Sequence, residues 1–510
     1  MKSDFAYVAD VDDRASPFIV FAAFIAFTAY LVVASLATVV FPPAFVVFLA
    51  PMVLMIVAAI PQGQAAPKRL IMPLLYAGAV LLPLWPVYIH LKLGPLPIIT
   101  PPRILLYLLS AIWIADMLTA PLRRAQFLVG LRNSRSVSGF VLGLFAVSAL
   151  SVPMAEGRVL AAQEFFRQAI IWLLPFCVAV TYVRRTRELH RLVLLLVIGA
   201  VFNACLAILE KATGHLVAQV LSPLITGNAE WLQIAASQKI RDGVFRAQGT
   251  HTHPLSLGEY VSVMAPFAIM FAAAARPLAI KAAWGAAAFI LIAGALATSS
   301  RGALLAVSVS LIATALVLIH RFLQRQGESR LKPVAGAFVL ALIAAAPVGY
   351  LGAKNLASGA GGVSTSNSSQ ARLDQIEQAW PKILKRPVGG YGTGRAVRIL
   401  GFWGRSLTID NYYLTLALDY GFPGPILFGS ILIAVILASN RRSRAGPVDH
   451  QMLYVGFIVA MIAFGVTRTI VSMAGNLSFL YILFGAFAGA AAGSPRRKHS
   501  PRTKDDFYPS

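Results

Sequence analysis

Apolar runs of about 20 residues recur along nearly the whole chain, divided by short polar or basic stretches. Twenty helical residues rise about 30 Å, the thickness of a bilayer's hydrocarbon layer, so each run predicts one transmembrane helix. Fourteen spans are expected, near 17–39, 42–60, 71–91, 103–121, 137–154, 166–183, 190–210, 255–275, 278–297, 302–320, 334–353, 411–438, 451–469 and 474–493. Only the Phe41-Pro42-Pro43 corner separates the first two. The expected organisation is an N-terminal segment (1–16), eleven spans (17–353), one large loop (354–409), three further spans (410–493) and a patternless basic tail (494–510). No internal repeat is visible. Residues 1–16 are polar and acidic, unlike a cleavable signal peptide.

The large loop opens with the flexible stretch "ASGAGGVSTSNSSQ". The next residues, "SSQARLDQIEQAWPKILK", predict a helix with a serine cap and with Leu373, Ile376, Trp380, Ile383 and Leu384 on one face. Pro381 is expected to kink it or end it early. Such a helix should lie on the membrane surface or cap the bundle. Glycine-rich "GGYGTG", 389–394, follows a helix rather than a strand, so it reads as a turn with left-handed residues and not as a nucleotide loop.

Composition agrees with this pattern: 58% of the 510 residues are hydrophobic and 13% charged. The formal charge of +24 would suggest nucleic acid in a soluble chain. Here it is mostly topological. With the N-terminus inside, one set of connections holds 26 of the 44 Lys and Arg residues, which assigns that side, and both termini, to the cytoplasm. Of the 18 on the outer side, four lie between Lys211 and Arg246 and eight between Lys354 and Arg405. Those loops either tolerate charge or face something anionic. Cys177 and Cys205 fall in apolar runs and read as packing residues.

Candidate chemistry clusters in the same outer connections. In "DGVFRAQGTHTHPLSLGEY", Arg246 could grip a phosphate with its planar fork or anchor a helix end at the headgroups. His251 and His253 are two ligands short of a metal cage and read better as loop histidines that hold backbone. Arg301, in "ATSSRGALLA", opens a span, where it opposes the helix dipole. An anion would offset that, and snorkelling to lipid phosphates is the alternative. In "LTIDNYYLTLALDYGFPG", Asp410 stands at the mouth of the twelfth span. Asp419, nine residues on, faces the opposite way and would fix a neighbouring basic or polar group near the break at Gly421-Phe422-Pro423-Gly424. Trp231, Trp380, Tyr391, Trp403, Tyr412 and Tyr413 crowd these regions as an interfacial belt or as sugar-stacking rings.

Four ordered stretches, "FRAQGTHTHP", "SSRGALLA", "RLDQIEQAW…RPVGGYGTG" and "IDNYYLTLALDYGFPG", resemble the O-antigen ligase and Wzy-type polysaccharide polymerase family over roughly 240–430. The resemblance implies an all-α, GT-C-like membrane fold and an inverting, metal-independent glycosyltransferase of the bacterial inner membrane, without cofactor, acting on the periplasmic side. Its donor would be an undecaprenyl-diphosphate-linked oligosaccharide, its acceptor a glycan, and a chain-length regulator protein a further partner. It carries the diphosphate-binding arginines onto Arg246 and Arg301 and the general base onto Asp410. Arg372, Arg395, Asn411, Tyr412, Tyr413 and His253 follow as substrate-binding candidates, with Asp419, Gly421 and Gly424 structural. Ligases carry His-Asn where this chain has Asp410-Asn411, which points to the exopolysaccharide polymerase branch. A ligase that uses lipid A core or a protein as acceptor, and a flippase, are the alternatives. A flippase would favour midplane charge and repeats, and neither is visible here.

Overall fold

A computed structural model describes residues 65–90, 100–221, 236–241, 243–325, 363–401 and 409–492. The expected spans at 17–39, 42–60 and 334–353 lie outside these residues, as do Trp231 and Trp403.

The elements are helices with one short β-ladder. In chain order they are α1 (Lys68–Leu84), α2 (Pro101–Thr119), α3 (Pro121–Asn133), α4 (Arg135–Ser151), α5 (Arg158–Tyr182), α6 (Thr186–Thr213) and α7 (Val217–Leu221). Strands β1 (Ile240–Arg241) and β2 (Val244–Phe245) pair antiparallel. Then come α8 (Pro254–Ala274), α9 (Leu278–Ala297), α10 (Arg301–Arg325), α11 (Val363–Lys385), α12 (Ala396–Leu400), α13 (Tyr412–Tyr420), α14 (Pro423–Arg442), α15 (Val448–Thr467) and α16 (Leu477–Ala492). Eight of the described helices are long and apolar enough to cross a membrane, nine if the bent pair α3–α4 is one span. This is an all-α, multi-pass membrane protein. Each of the eleven described spans overlaps a helix, but the one read as 71–91 leaves its helix at Leu84.

Helices α8 and α15 lie at the centre and are mostly buried, α8 along nearly its whole length and α15 from Met452 onward. Without a hydrophobic force between helices in lipid, close approach through small residues tightens such a core. Gly258 of α8 shows it: an added Cβ would stand 2.5 Å from the Ala303 Cβ, so α10 can approach only because this position is glycine.

The span read as 411–438 is interrupted at the expected Gly421-Phe422-Pro423-Gly424 break: α13 stops at Tyr420, and α14 starts at Pro423. Gly421, at φ +73°, takes a backbone conformation that L side chains rarely adopt, and Pro423 cannot donate back into the preceding turn. The loop helix α11 begins at Val363, before the serines read as its cap, and runs through Pro381 to Lys385. Pro381 leaves the Glu377 carbonyl without its helical donor, and both residues are exposed, so water can supply one. Gln375, Ala379 and Ile383 of α11 are buried against the protein, whereas Leu373, Ile376, Trp380 and Leu384 are about half exposed. The helix therefore sits on the bundle by one edge and leaves its apolar stripe uncovered by protein.

Candidate active site

Segments far apart in sequence meet where α6, α9 and α15 end and α8, α10, α13 and α16 begin. The Arg246 loop is fastened from α6. Glu210 accepts from the backbone N–H groups of Gln248 (2.7 Å), Gly249 (2.8 Å) and Val217 (2.7 Å). The Asn203 amide oxygen accepts from the Thr250 N–H (3.1 Å) and hydroxyl (2.9 Å), and its amino group donates to the Pro83 carbonyl. With its loop fixed, the half-buried Arg246 donates through Nε to the Thr298 carbonyl at 3.3 Å. The Ala247 N–H donates to the Ala297 carbonyl. Lys211 reaches the same turn and donates to the Ser299 hydroxyl at 3.0 Å. Arg301, exposed, opens α10 immediately after this turn. Arg246 and Lys211 thus bond the turn that leads into Arg301 and the positive end of the α10 dipole, a setting that favours an anion.

His253 does not reach outward. Its Nδ1 accepts from the Leu255 N–H at 3.1 Å and caps α8. Burial, then the nearby charges of Arg246 and Lys239, push its pKa down to about 3, so the ring is neutral. His251 stacks on Tyr260, with ring centroids 5.8 Å apart. The reading as a backbone-holding loop histidine fits His253; the His251 side chain packs on Tyr260 instead, and its Nε2 has no hydrogen-bond partner among the described residues.

Asp410 is joined to the arginine cluster through the α15–α16 connection. The Tyr412 N–H donates to the Arg468 carbonyl at 2.9 Å. Two residues beyond, the Ile470 side chain lies 2.7 Å from where a Cβ on Gly302 would stand. Asp410, one-third exposed, forms a 3.2 Å ion pair with Arg372 of α11, and its N–H donates to Gln375. Arg372, a substrate-binding candidate, thus stands directly beside the Asp410 carboxylate. Asn411 is committed locally: its side-chain oxygen accepts from the Leu414 N–H and caps α13. Tyr412 is buried edge-on against Phe428, and the Tyr413 hydroxyl donates to the Gly465 carbonyl.

Asp419 has its partner in the glycine-rich loop. Its carboxylate accepts from the backbone N–H groups of Gly394 (2.9 Å), Arg395 (2.9 Å) and Ala396 (2.7 Å). Further backbone bonds run from Gly389 to Tyr420, Tyr391 to Leu418, Gly392 to Asp419 and Phe422 to Pro387. A Cβ on Gly390 would fall 2.5 Å from Asp419 backbone atoms, and one on Gly421 2.3 Å from the Pro387 oxygen. Gly424 is equally constrained, with the Leu416 carbonyl 2.6 Å away. The two aspartates therefore belong to different structures, one at the rim and one in a buried backbone clasp. Arg395 is buried with its guanidinium against Gly157, and its Nε has no hydrogen-bond partner.

Sequence reasoning missed a buried cluster beneath Asp410. Arg468, wholly buried, donates to Glu259 at 2.8 Å and to the Met473 carbonyl at 2.7 Å. Asn476 donates to the same Glu259 oxygen and to the Ser256 carbonyl. The guanidinium carbon lies 5.1 Å from the Tyr412 ring centroid, so the cluster supports the segment that carries Asp410. The signal was present: Glu259 interrupts an apolar run in "PLSLGEYVSVM", and ionisable residues at such positions are expensive. Glu210 and Lys211 at the end of the seventh span were equally visible.

Residues 286–429, just over a quarter of the chain, match the family model described as O-antigen ligase (Wzy_C). No curated protein matches the chain. The matched segment runs from within α9 through α13 into α14 and so contains Arg301, Arg372, Arg395, Asp410 and Asp419, while Arg246 precedes it. With its apolar helices and this matched segment, the chain is a membrane protein carrying the domain of the O-antigen ligase family.

Proposed function

We propose that the protein is an inverting, metal-independent glycosyltransferase that polymerises undecaprenyl-diphosphate-linked repeat units on the periplasmic face of the bacterial inner membrane. The observation that carries this reading is that the 468–470 turn links the segment bearing Asp410, which pairs with Arg372, to the start of α10 at Arg301, where Arg246 and Lys211 hold the preceding turn. The opposite end of the bundle bears the basic connections around Arg184, Arg276 and Arg441, the pattern of a cytoplasmic face. The exposed stripe of α11 then faces the periplasmic membrane surface.

In this reading Arg246 and Arg301 hold the donor diphosphate, and Lys211 adds charge to the same turn. The acceptor hydroxyl attacks the anomeric carbon from the face opposite the diphosphate. Its proton passes to Asp410 as the new C–O bond forms. The anomeric carbon–oxygen bond breaks, and its electron pair leaves on the diphosphate, where arginines stabilise the charge. Arg372 orients Asp410, and Arg395 contacts glycan. Asn411, Tyr412, Tyr413 and His253 bear on substrate by fixing the backbone around these groups.

The ligase reading is favoured by the description of the matched family, and Asp410 in place of histidine favours the polymerase. The two are separated in cells. Asp410→Asn should abolish long-chain polysaccharide and accumulate short lipid-linked units while the protein inserts at normal levels. If single-site variants at Asp410, Arg246 and Arg301 all left polymer length untouched, the proposal would be wrong. Loss of glycan on a separate acceptor, with polymer length intact, would establish the ligase.

A further inference from the structure

A cavity of about 900 Å³ lies between α4 and α14 at the other end of the bundle. Ser148 and Ser151, near the far end of α4, touch Thr393 of the glycine-rich loop. Arg135 opens the same helix, so the arginine end of the cavity stands about 20 Å from that loop. Arg132, Arg135, Arg441 and Arg442 line it, and no acidic side chain does. Nor does any carboxylate among the described residues form an ion pair with these four. Arg442 is held in place, donating to the Phe487 carbonyl at 3.1 Å with its guanidinium carbon 4.2 Å from that ring centroid.

The remaining wall is apolar and open. Phe140, Ile433 and Leu437 continue the cavity along the two helices, and Ile433 and Leu437 are 58% and 53% exposed, facing out of the bundle. A small soluble anion would have no use for such walls. A zwitterionic lipid would leave four guanidinium groups facing a headgroup of no net charge. A phosphate ester with an acyl chain matches both halves: forked guanidinium groups bind its oxygens, and the chain follows the groove. We propose that this cavity is a binding site for an anionic phospholipid of the surrounding bilayer, with its headgroup on Arg132, Arg135 and Arg441. The inference is independent of the glycosyl-transfer reading.

The test uses the purified full-length chain, stripped of lipid in detergent and titrated with phosphatidylglycerol, phosphatidylcholine or inorganic phosphate. Retained lipid is counted by native mass spectrometry, and the thermal unfolding midpoint is followed. Phosphatidylglycerol should be retained roughly tenfold or more over phosphatidylcholine and should raise the midpoint. The combined variant Arg132→Gln/Arg135→Gln/Arg441→Gln should lose that preference. Arg276→Gln/Lys281→Gln, which neutralises charge elsewhere at the same end, should keep it. Ile433→Trp, which fills the groove and leaves every arginine, should also lower retention. Equal loss in the arginine and control variants would mean general surface charge and overturn the site. Equal protection by inorganic phosphate would overturn the lipid, and so would undiminished retention in Ile433→Trp.

Discussion

Replacing Asp419 with alanine removes the acceptor of three backbone N–H groups, at 2.9, 2.9 and 2.7 Å, in a buried position. Hydrogen bonds to a charged acceptor contribute about 1.5–3 kcal/mol each, so three bound the effect at about 5–9 kcal/mol. Gly394 is exposed, so water can replace its bond, leaving about 3–6 kcal/mol from the bonds to Arg395 and Ala396. Every 1.4 kcal/mol is a factor of ten, so amide exchange should rise roughly 10²- to 10⁴-fold. The assay is hydrogen exchange by mass spectrometry on peptides covering 389–401 of the purified full-length protein. Asp419→Asn should fall between wild type and alanine, because one amide oxygen can accept from at most two of the three donors. Unchanged protection in Asp419→Ala would show that the carboxylate does not hold the loop.

The buried Glu259–Arg468 pair makes a comparable demand: Glu259→Ala should destabilise the protein by about 3–5 kcal/mol, read as thermal midpoint, because it strands a wholly buried guanidinium. Adding Arg468→Met should recover part of that loss, and failure to recover any would argue against pairing as the cause. At position 253, asparagine can keep the cap of α8 and phenylalanine cannot, so His253→Phe should cost about 1 kcal/mol more than His253→Asn. The folded imidazole has its pKa near 3 against an ordinary 6.5, so the unfolded state protonates first and stability falls as pH drops from 6.5 toward 3. His253→Asn should flatten that slope, as measured by unfolding midpoint against pH. Gly421→Ala should destabilise by more than about 1 kcal/mol, since the added Cβ meets the Pro387 oxygen at 2.3 Å in a left-handed conformation.

The spans were legible because hydrophobic length is a local property, and every described one overlaps a helix. The break after Tyr420 was legible too, since glycine and proline act through their own dihedrals. What escaped the sequence was pairing. Glu259 and Arg468 lie 209 residues apart, and counting Arg468 as one more outer charge concealed that it is wholly buried. The partner of Asp419 consists of backbone N–H groups, which carry no residue identity; only the glycines of "GGYGTG", four with positive φ, marked where the backbone would come close. For α11 the apolar stripe was read correctly as a stripe, but periodicity cannot say whether a face meets protein or lipid. Its buried edge is Gln375-Ala379-Ile383.

The central claim is that the Arg246–Arg301 cluster and Asp410 act together in glycosyl transfer. Its most direct measurement is turnover by purified protein in lipid, with chelator present, of polyprenyl-diphosphate-linked repeat units, followed by product length. Wild type should yield longer lipid-linked chains. Asp410→Asn should lose nearly all turnover while still binding donor, because the base is removed and the diphosphate contacts remain. Arg246→Ala and Arg301→Ala should weaken donor binding as well. Chain growth in Asp410→Asn at the wild-type rate would contradict the account.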